Sequence, residues 1–189
     1  MERTQIRTRR LKRGLVHVYT GDGKGKTTAA LGLSMRAAGQ GLHVYMIQLL
    51  KPSRLSSGEM KIAGRMGRGI KIRRLNTPWW SLKSFEREDD KARMRKILRK
   101  EFDDLQETIL SRRYDIIIVD EIHNCLNYNL IDMDIIINLI KNRPVDVELV
   151  LTGRDAPNEI IAMADIVTEM KAIKHPYSKE IKARIGIEY

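Results

Sequence analysis

Two kinds of hydrophobic pattern alternate along the chain. Short stretches rich in apolar and β-branched residues predict strands at residues 15–19, 42–47, 114–121, 145–152 and 165–170. Between them, apolar residues recur every three or four positions, as on one face of a helix, at residues 29–38, 86–113, 131–141 and 158–164. Strands that alternate with helices in this way predict an α/β fold, with a mostly parallel central sheet flanked by helices.

Three further segments have weaker patterns. Residues 70–75 alternate between apolar and basic side chains, which predicts a strand near an edge of the sheet. Residues 52–69 are rich in glycine and serine and predict a loop with at most two helical turns. The final residues, 181–189, also alternate, and we expect them to pair at a sheet edge.

The composition favours a single domain with anionic partners. The chain has 189 residues, of which 42% are hydrophobic, enough for one core. There are 35 lysines and arginines against 24 acidic residues, and the formal net charge of +11 favours nucleotide phosphates, nucleic acids or acidic proteins as partners. No apolar run reaches the ~18 residues of a membrane span, and the N-terminus lacks a secretory signal pattern. With a single cysteine, Cys125, these features predict a cytoplasmic protein without membrane insertion.

The first thirteen residues form a separate unit in this prediction. They contain six basic residues and one acidic residue, Glu2, and too few apolar residues to join a core. We therefore expect a basic, flexible arm at residues 1–13 and one domain at residues 14–189. The arm is either a solvated tail or a segment that orders over bound phosphates or a partner.

A glycine-rich turn follows the first predicted strand and opens the first predicted helix. Strand, glycine-rich turn and helix together are the context in which Gly25-Lys26-Thr27 predicts a phosphate-binding loop. The glycines allow backbone N–H groups to converge on phosphate oxygens, the Lys26 ammonium adds a positive charge, and the Thr27 hydroxyl can bind Mg²⁺. One departure is that Thr20 stands where the usual pattern has its first glycine, and Gly21 follows one position late. A chance match on a surface loop is the alternative.

A pair of acidic residues ends the most apolar predicted strand. Asp120 and Glu121 follow Tyr114 to Val119, which is the arrangement of a Walker B motif. Mg²⁺ prefers oxygen ligands, so two carboxylates beside a phosphate-binding loop suit a magnesium-nucleotide site. The alternative is that these carboxylates cap the next segment.

Other candidate ligand-binding residues follow other predicted strands. Ligands collect at the carboxyl ends of the strands in α/β sheets, which places Gln48, Lys51 and Arg154 near the phosphates. Arg154 could bind a phosphate through two parallel hydrogen bonds, or be an ordinary exposed arginine in a turn. Two adjacent tryptophans, Trp79 and Trp80, follow residues 70–75, and they either pack as an apolar plug or expose one ring to a flat ligand.

With these motifs in place, the chain resembles the P-loop family of ATP:corrinoid adenosyltransferases, also called cob(I)alamin adenosyltransferases. The resemblance extends from Lys12 to Tyr189, and the displaced glycine is itself similar to the family's loop. The shared motifs are Thr20 to Ala30, the segment containing Gln48, Lys51 and Gly58-Glu59, and then Asp120-Glu121, Thr152-Gly153-Arg154, Ala164-Asp165, Lys174-His175 and Ile185 to Tyr189.

The resemblance implies both a fold and a reaction. Members have a RecA-like nucleotide-binding fold, commonly form homodimers, and transfer the 5′-deoxyadenosyl group of ATP to the cobalt of a corrinoid, releasing triphosphate. Reduced Co(I) attacks the ribose C5′, so the nucleophile is not a protein side chain, and a reductase or flavodoxin-like electron donor is an implied partner. Nucleic acid is not an expected partner.

The resemblance also implies roles for individual residues. Lys26, Thr27 and Glu121 are the implied catalytic residues, and Thr27 and Glu121 would hold Mg²⁺ with Asp120 beside them. Trp80 would contact the corrinoid, although Pro78 stands where the family has a phenylalanine. The implied ligand-binding residues are Thr20, Gly21, Asp22, Gly23, Lys24, Gly25, Lys26, Thr27, Thr28, Gln48, Lys51, Glu59, Trp80 and Arg154.

Three other functions fit parts of the sequence. The run from Asp120 to His123 is similar to a helicase motif, but a helicase needs two RecA-like lobes and this chain has room for one. A small-molecule kinase could use Asp120 or Glu121 to orient an acceptor hydroxyl. A regulatory module that binds nucleotide without catalysis is the third alternative.

Overall fold

A six-stranded sheet forms the centre of the protein in the computed structural model, which describes residues 11–51, 57–65, 69–75, 87–174 and 183–188. Its strands are β1 (Val16–Thr20), β2 (Val44–Gln48), β3 (Ile70–Arg74), β4 (Ile116–Asp120), β5 (Glu148–Thr152) and β6 (Ile166–Glu169). They lie in the order β3-β2-β4-β5-β1-β6, and every neighbouring pair is parallel. The predicted α/β fold is confirmed, with β3 at an edge as expected.

Six helices in the described ranges connect these strands and cover both faces of the sheet. They are α1 (Lys26–Gly39), α2 (Gly58–Arg65), α3 (Glu88–Leu110), α4 (Ile122–Asn127), α5 (Met133–Asn142) and α6 (Asn158–Met163). Parallel strands require crossover connections, and helices supply them. None of the described helices combines the length and the apolar character that a membrane crossing requires.

The side chains of the central strands β2, β4 and β5 point alternately to two apolar clusters. Cluster one contains Ile117 and Val119 of β4 and packs against α3, α4, α5 and α6. Cluster two contains Ile116 and Ile118 of the same strand and packs mainly against α1, which contributes the fully buried Ala30. Because β4 is buried on both faces, it reads as a continuous apolar run rather than an alternating one.

Helix α3 is a long amphipathic helix, as its spacing predicts. Its buried residues fall three or four positions apart, and acidic residues occupy its first turn, where they interact favourably with the helix dipole. The buried apolar side chains are Met94, Leu98, Phe102, Leu105 and Ile109.

The structure departs from the sequence predictions in two places. Helix α4 was not predicted, because it has only six residues, too few to show a clear helical period. The strand predicted at residues 181–189 is wrong for residues 183–188, which form a turn in which Ile187 N and Glu188 N both donate to Arg184 O. The predictions for residues 1–10, Trp79, Trp80 and His175 lie outside the described residues.

Candidate active site

A row of polar side chains crosses the sheet at the carboxyl ends of four strands. Arg74 of β3 lies opposite Gln48 of β2, which lies opposite Asp120 of β4. Thr152, the last residue of β5, donates a hydrogen bond of 2.7 Å from Oγ1 to Asp120 Oδ1. Asp120 and Thr152 are buried, so these contacts stabilise a carboxylate that water does not reach. Parallel strands place all four side chains at one edge.

The phosphate-binding loop meets this row through Thr27. The loop connects β1 to α1, and Thr27 is in the first turn of α1, above the carboxyl end of β4. Its Oγ1 donates to Asp120 Oδ1 at 2.9 Å. Two motifs that are about ninety residues apart in sequence are therefore joined by one hydrogen bond.

Lys26 lies within the curve of the loop. Its ammonium donates to Gly21 O at 2.5 Å and to Gly23 O at 2.8 Å. Burial, followed by the nearby positive charge of Arg154, lowers the pKa of Lys26 from its ordinary value. An anionic ligand would therefore interact with an ammonium group that water solvates poorly.

The outer side of the loop is held by the chain just after β6. Gly23 N donates to Met170 O at 2.6 Å. Gly21 has φ 93°, and a Cβ there would lie 2.5 Å from the same carbonyl oxygen. Only glycine fits this combination of positive φ and close backbone approach. The position of Gly21, one place later than the first glycine of the usual pattern, therefore has a structural reason.

Two side chains of the loop contact the C-terminal part of the chain. Asp22 Oδ1 accepts from Ala172 N at 3.1 Å, and this hydrogen bond is the main reason why the pKa of Asp22 is lowered. Lys24 Nζ donates to Glu188 Oε1 at 2.8 Å. These contacts engage the side chains of Asp22 and Lys24 within the protein.

Glu121 has a strained backbone directly above the site. Its φ and ψ are 69° and 22°, in the left-handed region, and it is the N-cap of α4. Glu121 N donates to Thr152 Oγ1 at 3.1 Å, which helps to fix this conformation. Burial and the neighbouring charge of Asp120 raise the pKa of Glu121, and Lys51, Lys26 and Arg154 act in the opposite direction. A strained backbone and a shifted pKa at one residue are typical of functional sites.

Lys51 links Asp120 to Glu59. Lys51 Nζ lies 3.3 Å from Asp120 Oδ2 and 3.7 Å from Glu59 Oε1. Gln48 Nε2 donates to both carboxylates, at 3.3 Å to Glu59 Oε1 and 3.5 Å to Asp120 Oδ2. The structure therefore brings the predicted residues Gln48, Lys51 and Glu59 together with the acidic pair.

Arg154 lies on a loop that α4 holds in place. Arg154 N donates to Asn124 Oδ1 at 2.7 Å, and Asn127 Nδ2 donates to the carbonyl oxygens of Arg154 and Asp155. The Arg154 side chain is exposed, and its charge acts on Asp22, Lys26 and Glu121. The loop thus presents a guanidinium to the phosphate-binding loop.

Two predicted ligand-binding residues have less direct positions. Thr20 is buried, and its Oγ1 accepts from Ala156 N at 3.0 Å, a contact within the fold. Thr28 is exposed on α1. Trp80 lies outside the described residues.

Four residues that organise this site were not among the predicted site residues. Thr152 and Arg74 belong to the polar row, Ser57 Oγ accepts from Arg74 Nη2, and Asn124 fixes the Arg154 loop. Of these four, only Thr152 was marked by the sequence, since it precedes Gly153-Arg154 at the end of a predicted strand.

The few oxygen ligands at this site suit a hard cation whose remaining ligands come from outside the protein. Within the described ranges, no group of three or more histidines, cysteines or carboxylates could enclose a metal ion. The side chains that converge are the Thr27 hydroxyl and the Asp120 carboxylate, with the Glu121 carboxylate next in sequence. Mg²⁺ commonly binds through one or two such oxygen ligands while water and phosphate fill its remaining positions.

Comparison with known proteins decides the family. The family model described as "ATP:corrinoid adenosyltransferase BtuR/CobO/CobP" matches residues 12–189. The chain belongs to the ATP:corrinoid adenosyltransferase family. The corrinoid adenosyltransferase of Escherichia coli (strain K12) is 30% identical over 178 residues, which cover 94% of this chain and 87% of that protein. That of a Sinorhizobium species is 32% identical over 180 residues, covering 94% and 81%. That of Pseudomonas aeruginosa is 28% identical over 186 residues, covering 98% and 88%.

The family match covers the phosphate-binding loop, the polar row and Arg154. The predicted resemblance and the predicted enzyme class are both confirmed, and none of these matches supports a nucleic-acid ATPase or a kinase.

Proposed function

We propose that this chain transfers the 5′-deoxyadenosyl group of ATP to the cobalt of cob(I)alamin and releases triphosphate, in adenosylcobalamin synthesis or salvage. The observation that carries the proposal is the hydrogen bond between Thr27 and Asp120. It unites a phosphate-binding loop with an acidic pair, in a chain that belongs to the ATP:corrinoid adenosyltransferase family.

Residues of the loop would bind the triphosphate. Lys26 lies within the curve of the loop formed by Thr20 to Thr28, and the N-terminus of α1 adds its positive end. Thr27 and Glu121, with Asp120 beside them, are the residues that would hold Mg²⁺. Bound there, Mg²⁺ would neutralise part of the charge on the triphosphate.

The reaction needs charge neutralisation and alignment more than a protein nucleophile. A cobalt–carbon bond forms as the bond between C5′ and the phosphate oxygen breaks, cobalt supplies both electrons, and triphosphate leaves. Lys26, Lys51 and Arg154 surround the acidic pair with positive charge, so the negative charge on the leaving group would be stabilised. Holding the reactants in line would supply the rest of the acceleration.

Four further residues would contact the substrates. Gln48, Lys51 and Glu59 would contact the nucleotide, because they converge on Asp120. Trp80 would contact the corrinoid. We propose residues 14–189 as one catalytic domain after a basic arm at residues 1–13, which fits a family match that begins at residue 12.

Three properties of the working enzyme are also proposed. It would act as a homodimer, as the family resemblance implies, and receive electrons from a reductase or flavodoxin-like donor. Its location would be cytoplasmic, because its one cysteine, Cys125, is a buried free thiol that suits a reducing compartment.

The test is an adenosyl-transfer assay. The purified chain is supplied with ATP, Mg²⁺, a chemical reductant and cobalamin, and the visible spectrum is followed for formation of the cobalt–carbon bond. We expect that spectral change together with triphosphate among the products, and neither change when ATP or the reductant is omitted. If DNA or RNA instead stimulates release of ADP and phosphate without any change in the corrinoid spectrum, the proposed function is wrong.

A further inference from the structure

Helix α2 has little apolar contact with the rest of the protein. None of its eight residues is buried, Ile62 is 49% exposed, and Ala63 packs only partly against cluster two. An isolated helix of this length is unstable in water, so contacts with the sheet must supply its stability. The contacts at its first turn are polar: they run from Ser57 and Glu59 to the carboxyl edge of the sheet.

Arg74 is the centre of these polar contacts. Its side chain is only 6% exposed, which is unusual for an arginine and requires hydrogen-bond partners. Its Nη2 donates to Ser57 Oγ at 2.5 Å and to Glu59 Oε1 at 3.0 Å, and its Nε donates to Gln48 Oε1 at 2.6 Å. One planar guanidinium therefore joins β2, β3 and the start of α2.

The contact with Gln48 also fixes which way its amide faces. Because the carbonyl oxygen of Gln48 accepts from Arg74, its NH₂ group is directed to the carboxylates of Glu59 and Asp120. The reversed amide would place an oxygen against two negative charges. Arg74 thus acts on Asp120 through Gln48, without touching it.

We propose that Arg74 is a positioning residue of the nucleotide site, where it clamps Gln48 and Glu59 into the network that ends at Asp120 and fastens α2 to the sheet. The proposal rests on the proposed function, since it assumes that Asp120, Lys51 and Glu59 serve bound nucleotide. Arg74 itself would contact no reacting atom.

The test compares variants of one strand. Arg74→Met keeps the length of the side chain and removes its donors, and we expect the KM for ATP to rise about tenfold while the KM for corrinoid changes less than about twofold. Arg74→Lys keeps the charge but loses the planar fork, and we expect a rise of about threefold. Lys71→Met is the matched control, because Lys71 is on β3 but faces the Tyr45 ring, and its KM for ATP should be unchanged.

Two further measurements separate positioning from stability. Backbone amides at residues 58–65 should exchange with solvent about tenfold faster in Arg74→Met than in Lys71→Met. Adding Glu59→Gln to Arg74→Met should raise the KM for ATP by less than about twofold more, because both changes break one network. If the KM for ATP of the double variant instead rises by the product of the factors for the two single variants, Arg74 does not act through Glu59 and the proposal is overturned.

An unchanged KM for ATP in both Arg74→Met and Arg74→Lys also overturns the proposal. If Arg74→Met does not fold, the KM of Arg74→Lys decides alone. If the unsubstituted chain transfers no adenosyl group, it is the proposed function that fails. The dissociation constant for ATP with Mg²⁺, measured by calorimetry on the same variants, then tests Arg74 separately.

Discussion

Replacement of Thr152 by valine tests the polar row most directly. Valine has nearly the same shape as threonine and suits a strand, so the change removes a hydroxyl and little else. The hydroxyl has two roles: it donates to Asp120 Oδ1 at 2.7 Å and accepts from Glu121 N at 3.1 Å. Both partners would lose a hydrogen bond at the centre of the site.

The magnitude follows from these two contacts. A hydrogen bond to a buried carboxylate contributes about 1.5 to 3 kcal/mol, and the lower value applies because Thr27 still donates to the same oxygen. The Glu121 N–H loses its partner at a cost of about 1 kcal/mol. We expect the free energy of unfolding to fall by about 2.5 kcal/mol, which lowers Tm by about 5 to 10 °C for a protein of this size.

The assay is thermal unfolding followed by circular dichroism, with Thr152→Ser as the matched control. Serine keeps the hydroxyl and loses only a methyl group, so the free energy of unfolding should fall by less than about 1 kcal/mol. The rate of adenosyl transfer should fall in the valine variant and be largely kept in the serine variant. A valine variant that melts within about 2 °C of the unsubstituted protein would refute the reasoning, as would a serine variant that is equally destabilised.

Three further predictions concern the loop, the acidic pair and the corrinoid. Lys26→Ala should reduce the rate of adenosyl transfer by at least about a hundredfold with Tm nearly unchanged, because Lys26 is the main positive charge inside the loop. A rate near that of the unsubstituted protein would contradict this role of Lys26. Glu121→Gln without ligand should be more stable than the unsubstituted protein near pH 7, because the raised pKa of Glu121 means that folding disfavours its charged form. The difference in Tm should shrink as the pH falls toward 4.5, the ordinary pKa of a glutamate. A difference in Tm that grows as the pH falls would contradict this. Trp80→Ala should raise the KM for corrinoid more than the KM for ATP, and loss of ATP binding alone would contradict its assignment.

The fold and the family were accessible from the sequence because their signals are local. Strands β4 and β5 are buried on both faces, so their apolar runs show in the sequence. The phosphate-binding loop and the acidic pair lie directly after strands, and parallel strands must end at one edge, so their proximity follows from the pattern alone. The tail prediction failed because alternation describes side-chain periodicity and does not supply a partner strand.

Only the tertiary structure revealed how the site is held. Arg74 and Asp120 are 46 positions apart, and nothing local marks either Arg74 or Ser57 as different from other arginines and serines in the chain. Their roles come from strand order and register, which set β3 beside β2 and β2 beside β4 and so place Arg74, Gln48 and Asp120 in one row. The sequence by itself determined the chemistry that ends each strand, while the packing of the sheet decided which of those groups share hydrogen bonds, because such contacts depend on distances that no local pattern encodes.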